Sequence, residues 1–340
     1  MGLSGDSPIL MDMEVMMLRY IIRRLLILIP IVIGISFIVF AILSFTPGDP
    51  VMNIVGNGAD PHTYELKREE LGLNDPFLTR YFNYMKGVVT GDLGQSWSYD
   101  TPVAAELART IPKTLILALS SVGLMLVIGL PIGIVSAVKQ YSIIDNVSMV
   151  AMLILTSMPL FWLGLMLMLA FSVRLRWFPA TFPANGLGTI LNWILPTVTC
   201  MASMMAALVR TTRSTMLEVI RSDYVRTARA KGATERTVTY KHALRNALLP
   251  VVTLVGLNFG LLMGGAIVTE KVFGIYGVGY LLINAVTSRD VPLVMGSILF
   301  VATCIGVVNL FVDVLYAYID PRLRSLYVRV KSQAVKGGAN

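Results

Sequence analysis

Six apolar runs divide this chain, and each has about the length of a helix that crosses a lipid bilayer. The hydrocarbon core of a bilayer is about 30 Å thick, so a spanning helix needs about 20 mostly apolar residues. The fourth run is the shortest, and Arg210 and Arg213 blur its end. The six predicted spans are Leu25–Phe45, Thr114–Val138, Val147–Val173, Ile194–Val209, Leu248–Val268 and Leu293–Tyr316. We therefore predict an all-α integral membrane protein with six transmembrane helices.

The basic residues lie near the ends of the predicted spans and indicate their orientation. Arg19, Arg23 and Arg24 precede the first span, and Lys and Arg accumulate on the cytoplasmic side of membrane proteins. The connection 210–247 has nine basic and three acidic residues, and the tail after the last span is also basic. The connection 46–113 is net acidic. We therefore predict that both termini are cytoplasmic and that the acidic connection is extracytoplasmic.

The composition agrees with a membrane protein and argues against nucleic acid as a partner. Charged residues make up 14% of the 340 residues, whereas soluble domains carry about 25%. The net charge is +8, and the basic residues cluster at a few places, a pattern that membrane topology explains better than a nucleic-acid partner does. Residues 1–16 lack the basic and apolar regions of a signal peptide, and we predict a disordered extension there.

The connection 46–113 is too long for a simple loop and carries signals for three helices. One helix is predicted after Asp60-Pro61, with Gly72 as its stop, and a second after Asp75-Pro76. The third is the amphipathic piece Thr101–Ile111, which precedes the second span. The second helix has an apolar face at helical spacing, formed by Phe77, Tyr81, Met85 and Val88. We predict a small helical cap whose apolar residues pack against the bundle.

The connection Thr269–Val291 predicts a short helix that dips back between the spans. Its half-apolar piece is Tyr280–Val286, and Gly274, Gly277 and Gly279 allow a tight turn before or within it. Such re-entrant backbone is tolerated only where protein or a water-filled cavity satisfies its polar groups. The pattern therefore indicates a path through the bundle.

Motifs for ATP hydrolysis, acyl transfer and zinc catalysis are missing from the sequence, which has no GxxxxGK[ST], GxSxG or HExxH. His62 and His242 are isolated, on opposite predicted sides of the membrane. Asp313 is the one acidic residue within the six predicted spans, and we expect it to pair with an arginine of Asp320–Arg324. The chain is predicted to be no enzyme and to bind no cofactor or metal. An ion-coupled carrier is the less favoured alternative, because such carriers place carboxylates at mid-membrane.

The basic segment 221–250 is predicted to be a docking surface. Asp223 can cap a short helix, Tyr224–Lys231, that Gly232 ends, and Thr234 can cap a second helix that continues into the fifth span. Small residues between the bases allow a partner to approach closely. The residues of this short helix include Arg226, Thr227, Ala228, Arg229, Ala230 and Lys231. Anionic lipid ranks second as a partner, because the helix lacks the bulky apolar face of a lipid-binding helix.

The segment resembles the cytoplasmic E-A-A-x-x-x-G loop of permease subunits in ATP-binding-cassette (ABC) importers. Aligned on Gly232, the alanine pair falls on Thr227 and Ala228, and the glutamate falls on Arg226 and is not kept. RTARAKG followed by HALRNALLP is similar to the variant in dipeptide and oligopeptide permeases. Further matches, in order, are TPGDP (46–50), LGLNDP (71–76), GDLGQS (91–96), PV (102–103), RTIPKTL (109–115) and GxxGVG (274–279). The resemblance covers residues 17–324.

The resemblance implies the type I ABC importer permease fold in a bacterial or archaeal inner membrane. Its regions would be a cytoplasmic segment with the first span (17–45), an extracytoplasmic cap (46–113), a five-span core (114–324) and a cytoplasmic tail (325–340). Family members pair two permease chains, usually different, with two ATPase subunits that use ATP and Mg²⁺. An extracytoplasmic binding protein delivers the solute. The docking residues would be Asp223, Tyr224, Arg226, Thr227, Ala228, Arg229, Lys231 and Gly232, in and beside a coupling helix.

The resemblance also implies a cargo of di- or oligopeptides. Importers of nickel chelates, glutathione and oligosaccharides share the same permease pattern and stay open as alternatives. Met201, Met204, Met205 and Asn258 are predicted to line the path, because methionine side chains adapt to varied surfaces. Ordinary helix packing is the alternative for each of the four.

Overall fold

The computed structural model describes the backbone of residues 8–56, 60–183, 186–264 and 266–319, and the side chains between 19 and 315 with the same gaps. The described residues form fourteen α-helices and two π-helical segments, Met168–Arg174 and Val238–Ala243, joined by turns and loops. In order, the helices are α1 (Pro8–Phe45), α2 (Pro50–Val55), α3 (Pro61–Glu70), α4 (Phe77–Val89), α5 (Val103–Val138), α6 (Ile143–Ser157), α7 (Leu160–Leu167), α8 (Ile190–Ile220), α9 (Asp223–Ala230), α10 (Glu235–Thr237), α11 (Leu244–Met263), α12 (Ile267–Phe273), α13 (Val278–Ser288) and α14 (Val291–Ile319).

The apolar helices confirm the all-α membrane fold. Within the described residues, five continuous helical stretches are long and apolar enough to span a membrane, and a bent pair gives a sixth. The predicted fourth span is the middle of α8, which continues well beyond Val209 as one helix of 31 residues. The fifth ends at Met263 rather than Val268, and a separate short helix, α12, follows it.

The third predicted span is broken, so the prediction of one continuous helix is wrong there. α6 and the stretch Leu160–Arg174 meet at an angle of 102°. Met158 is extended between them, with ψ of 127°. The cause is Pro159, because a proline ring disfavours helical backbone in the residue before it. Hydropathy alone did not reveal the break, since residues on both sides of it are apolar.

Two further boundaries differ from prediction. α1 begins at Pro8, so residues 8–16 are helical rather than a disordered extension. Proline is favourable in a first helical turn, and the Met, Leu and Glu residues that follow have high helix propensity. The amphipathic piece Thr101–Ile111 is not a separate helix, because α5 runs unbroken from Val103 through Pro112. Prolines are tolerated inside membrane helices, where neighbouring groups satisfy the freed backbone.

The first of two compact units contains residues 1–108 and 281–310. It includes α3 and α4, which confirm the two helices predicted from Asp60-Pro61 and Asp75-Pro76. The apolar face of α4 is also confirmed, because Tyr81 is buried with Phe40, Val291 and Met295, and Phe77 and Met85 pack beside them. The Tyr81 hydroxyl lies 2.9 Å from Ser36 Oγ of α1. The cap helix α4 is therefore fixed to the first span by aromatic packing and a hydrogen bond.

A carboxylate fixes the turn after α1 in this unit. Asp49 accepts hydrogen bonds from the Tyr64 hydroxyl and the Val51 backbone N–H, and an ion pair of 2.7 Å joins it to Arg68. Burial raises the pKa of Asp49. The hydrogen bonds and the charge of Arg68 together lower it by more than burial raises it, so the pKa lies below its ordinary value. The ionised form of Asp49 is therefore favoured by folding.

We expect this carboxylate to stabilise the permease above about pH 4, the ordinary pKa range of aspartate. Its contribution should disappear as the pH falls through the lowered pKa of the folded state. Thermal unfolding in detergent should show a difference between wild type and Asp49→Asn at pH 7 that closes toward pH 3. The exposed Asp60→Asn is the control, because Asp60 makes no side-chain capping bond. An undiminished difference at pH 3 would contradict the assignment.

The second unit contains residues 109–280 and 311–340, and α8 forms its centre. More of α8 is buried than of the other four continuous spanning stretches. A β-carbon on Gly133 of α5 would lie 2.6 Å from Cβ of Thr212, so the two helices touch backbone to side chain there. Asp145, at the start of α6, is 1% exposed and holds Arg213 of α8 through bonds of 2.7 and 2.8 Å. This buried ion pair lies outside the span predicted to begin at Val147.

Candidate coupling surface and candidate translocation path

α9 provides the short bounded helix that was predicted in the basic segment. Its N-cap is Ser222, in extended conformation, whereas Asp223 lies in the first turn, so the prediction of Asp223 as the cap is wrong. An acidic residue in the first turn is still favourable, because it interacts with the positive end of the helix dipole. The helix ends before Gly232, whose φ of +83° confirms it as the stop.

α9 is attached to the helices on both sides of it. Its own residue Val225 is fully buried on the inner face of the helix. The Tyr224 hydroxyl accepts a hydrogen bond of 2.8 Å from Asn246 Nδ2 of α11. Arg229 donates through two nitrogens to Glu235 of α10, at 2.8 and 3.2 Å. Side-chain hydrogen bonds therefore connect α9 with α10 and α11.

The opposite face of α9 is polar and exposed. Arg226 is 73% exposed, and its contact with Asp223 is long, at 3.8 Å. Thr227, Lys231 and Gly232 are also exposed, and Ala228 is half-buried. Exposed ion pairs of this geometry contribute little to stability. These side chains are therefore available to a partner without loss of internal contacts.

The helix after the turn is also as predicted. The Thr234 hydroxyl accepts from the Thr237 backbone N–H at 3.3 Å and caps α10. The π-helical segment Val238–Ala243 then leads directly into α11. One helical rod therefore connects the turn beside α9 with the fifth span.

The residues predicted for the translocation path lie in two environments. Met204 and Met205 of α8 are buried at 8% and 3% exposure, and Met205 packs with Met152 and Val209. Ordinary helix packing thus accounts for Met205 in this chain. Asn258 of α11 differs, because its Nδ2 is buried and has no hydrogen-bond partner among the described residues. A buried amide nitrogen without a partner is unfavourable unless another group reaches it.

A second buried carboxylate, which sequence reasoning missed, organises the turn between α12 and α13. Glu270 is fully buried. Its oxygens accept hydrogen bonds from Thr114 Oγ1 at 2.7 Å and from the Tyr280 backbone N–H at 2.8 Å. A β-carbon on Gly277 would collide with the carboxylate, so only glycine fits there. Glu270 therefore caps the predicted short helix, which the structure confirms as α13.

The sequence signal for this capping carboxylate was weak. Glu270 follows an apolar run, and its hydroxyl partner Thr114 lies 156 positions earlier. Asp290, fully buried, has the same role at α14, where it accepts from the Leu293 backbone N–H at 3.1 Å. The expected pairing of Asp313 with an arginine of Asp320–Arg324 falls outside the described residues.

Two family profiles match the chain. The profile "Binding-protein-dependent transport system inner membrane component" matches residues 129–325, and the N-terminal component of such systems matches residues 17–118. The chain belongs to this family. Its membership confirms the resemblance to importer permeases and excludes the reading as an ion-coupled carrier.

Curated relatives are similar over nearly the whole permease. The dipeptide transport system permease protein DppB of Alkalihalophilus pseudofirmus is 42% identical over 332 residues, which cover 91% of this chain and 100% of the relative. The glutathione transport system permease protein GsiC of Escherichia coli K12 is 42% identical over 308 residues, which cover 91% and 99%. A solved chain of the inward-facing MetNI methionine ABC transporter has a TM-score of 0.48, at 22% identity, over 63% of the permease and 96% of that chain.

The permease is therefore a multi-pass inner-membrane subunit of an ABC importer. ATP hydrolysis is performed by separate ATPase subunits, as predicted, and the transport system depends on a solute-binding protein.

Proposed function

We propose that the permease forms half of the translocation path for di- and oligopeptides and pairs with a second, different permease of its family. Similarity over nearly the full length to a dipeptide permease supports the cargo. Two ATPase subunits, with ATP and Mg²⁺ bound to them and not to the permease, drive the cycle. Both termini and the connection 210–247 face the cytoplasm in this arrangement, where the ATPases are.

The geometry of α9 carries the proposal. Its outer face offers Arg226, Thr227 and Lys231 to a partner, while its inner face is attached through Val225 and Tyr224. We infer that the outer face lies in a groove of an ATPase subunit. Closure of the ATPase pair would then shift α9, and the attached helices α8 and α11 would change the access of the path. Such a two-state element is biased by a ligand bound elsewhere.

Asn258 is the residue that we place closest to the cargo. Peptides present backbone carbonyl groups, and an amide nitrogen donates to them. Its Nδ2 has no hydrogen-bond partner among the described residues, which supports this role. Met201 lies one turn before Met205 on the same face of α8 and packs against the same cluster, but it is only half-buried, and it is the methionine we retain in the path. Met204 and Met205 would support its wall from behind.

Glutathione is the second candidate cargo, because the E. coli glutathione permease is equally identical to this chain. Glutathione is itself a tripeptide, so the same path chemistry serves both solutes. Uptake of a labelled dipeptide by the complete transporter in proteoliposomes, with glutathione as competitor, separates them. Dipeptide uptake that glutathione does not reduce supports the peptide proposal, and uptake of glutathione alone overturns it.

Charge reversal on α9 tests the coupling role. We expect Arg226→Glu with Lys231→Glu to reduce ATP-driven uptake more than tenfold, because like charges placed in an interface cost several kcal/mol. Stimulation of ATPase activity by the loaded binding protein should fall in parallel. The control is Arg236→Glu, an exposed residue of the same connection outside α9. Full stimulation in the double variant would refute docking through α9.

A further inference from the structure

A cluster of arginines surrounds a cavity of about 310 Å³ where two spans of the first unit end. Its walls include the last turn of α1 and Val291, the first residue of α14. We name it the arginine pocket, lined by Arg68, Arg80 and Arg289 with Ser44, Asp49 and apolar residues that include Ile42. Since both spans stop at this level, the pocket lies at the membrane surface.

The arginine pocket has an excess of positive charge. Arg68 is neutralised by Asp49 at 2.7 Å. Among the described residues, neither Arg80 nor Arg289 has a carboxylate within ion-pair distance. Burial, followed by the charge of Arg68, lowers the pKa of Arg80, and Asp75 opposes this only in part. Two of the three arginines that line the cavity thus have no ion-pair partner among the described residues, and Asp49 is paired with the third.

The positions of both free arginines are fixed by packing. The Arg80 guanidinium lies over the ring of Phe40, 5.6 Å from its centre. The Arg289 guanidinium lies directly against Gly48, where any β-carbon would collide with it. Gly48 has φ of +117°, a conformation that glycine adopts readily and other residues avoid. The Ser44 hydroxyl is buried and has no partner among the described residues.

The mouth of the pocket has an apolar side. Ile42, which lines the pocket in the last turn of the first span, is 59% exposed, and Phe45 in the same turn is 74% exposed. Arginine forks match the oxygens of phosphate groups, and a hydroxyl adds a further donor. An occupant therefore needs an anionic oxygen group joined to an apolar chain that lies along α1. We propose that the arginine pocket binds the phosphate of an anionic phospholipid headgroup.

The location favours a lipid over a dissolved anion. Basic residues are depleted in extracytoplasmic connections, yet these three surround one site at a span end. Arg68 and Arg80 come from the connection 46–113, which is net acidic as a whole, and Arg289 comes from a different connection. The inference is independent of the cargo that the importer carries.

The test uses the full permease purified in detergent, with bound lipid counted by native mass spectrometry. We expect one phosphatidylglycerol to bind in preference to phosphatidylcholine. Each basic residue near an anionic headgroup contributes about 1 kcal/mol, a factor of roughly five. Arg80→Gln and Arg289→Gln should each weaken phosphatidylglycerol about fivefold, and together about 25-fold. Lys86→Gln, an exposed charge on the same α4, should leave binding unchanged.

Charge-conserving variants test whether a loss of lipid binding comes from the lost charge or from misfolding. Arg80→Lys and Arg289→Lys should keep most of the affinity, and circular dichroism with gel filtration checks each variant. Equal binding of the two lipids, or unchanged binding in the folded double glutamine variant, would overturn the proposal. Inorganic phosphate or dialanine that displaced phosphatidylglycerol at an equal or lower concentration would overturn the lipid assignment. Failure of both competitors at millimolar concentration supports it.

Discussion

Replacing Asp145 with alanine is expected to destabilise the permease by about 3–5 kcal/mol. The carboxylate is almost fully buried and holds Arg213 through two bonds, and it also accepts from the Tyr141 backbone N–H at 2.9 Å. Its removal leaves a largely buried guanidinium without a counter-charge. An uncompensated buried charge lowers the free energy of unfolding more than removal of both partners does. Denaturant unfolding in detergent, followed by circular dichroism, measures the loss.

A double-mutant cycle separates this ion pair from simple packing. Asp145→Leu with Arg213→Met removes both charges, and we expect it to cost far less than the sum of the single changes. The control is Glu70→Ala, which breaks the exposed pair with Lys67, where Glu70 is 64% exposed. That change should cost less than about 1 kcal/mol. Additive single effects at Asp145 and Arg213 would show that the two side chains do not interact.

Glu270→Ala is the second change with a large expected effect, about 3 kcal/mol or more of lost stability. It leaves the Tyr280 backbone N–H and the Thr114 hydroxyl without their acceptor at a buried position. Each orphaned buried group costs about 1–3 kcal/mol. The expected result is a lower thermal midpoint together with a lower yield of folded permease.

Glu270→Gln is the matched variant, since it keeps the shape and one acceptor oxygen. We expect it to lose less stability than alanine, because the amide oxygen can still cap α13. Val268→Ala is the control for shortening a side chain on α12, because Val268 is half-exposed and lies on the same helix. If Glu270→Ala unfolded at the wild-type midpoint, the carboxylate would not be the cap of α13.

Local signals predicted the short helices, and long-range pairs escaped prediction. The starts at Asp60-Pro61 and Thr234 and the stop at Gly232 are each encoded within a few residues, and the structure has all three. The partners of Asp145 and Glu270 lie 68 and 156 positions away. No periodicity shows such pairs, and Asp145 and Glu270 both lie just outside the predicted spans, where a carboxylate gives no signal in the hydropathy.

The break in the third span is an intermediate case. Its signal, Pro159, is local, but the high hydropathy of the run favours a continuous helix more strongly. Pro159 restricts Met158, yet the hydropathy of the run stays high on both sides and favours one long helix. Prolines inside α1, α5, α8 and α11 do not end those helices. Tertiary packing decides which prolines break a membrane helix, and local sequence patterns do not predict that packing.

The length of α8 bears on the coupling role that we propose for α9. The helix has 31 residues, so it is about 46 Å long. Only Arg221 and Ser222 separate its end from α9. A tilt of about 5° at that end displaces the far end of a straight rod of this length by about 4 Å. In the proposed coupling role, a small rotation of the eight-residue α9 would thus produce, across the thickness of a bilayer, a displacement about as wide as a side chain.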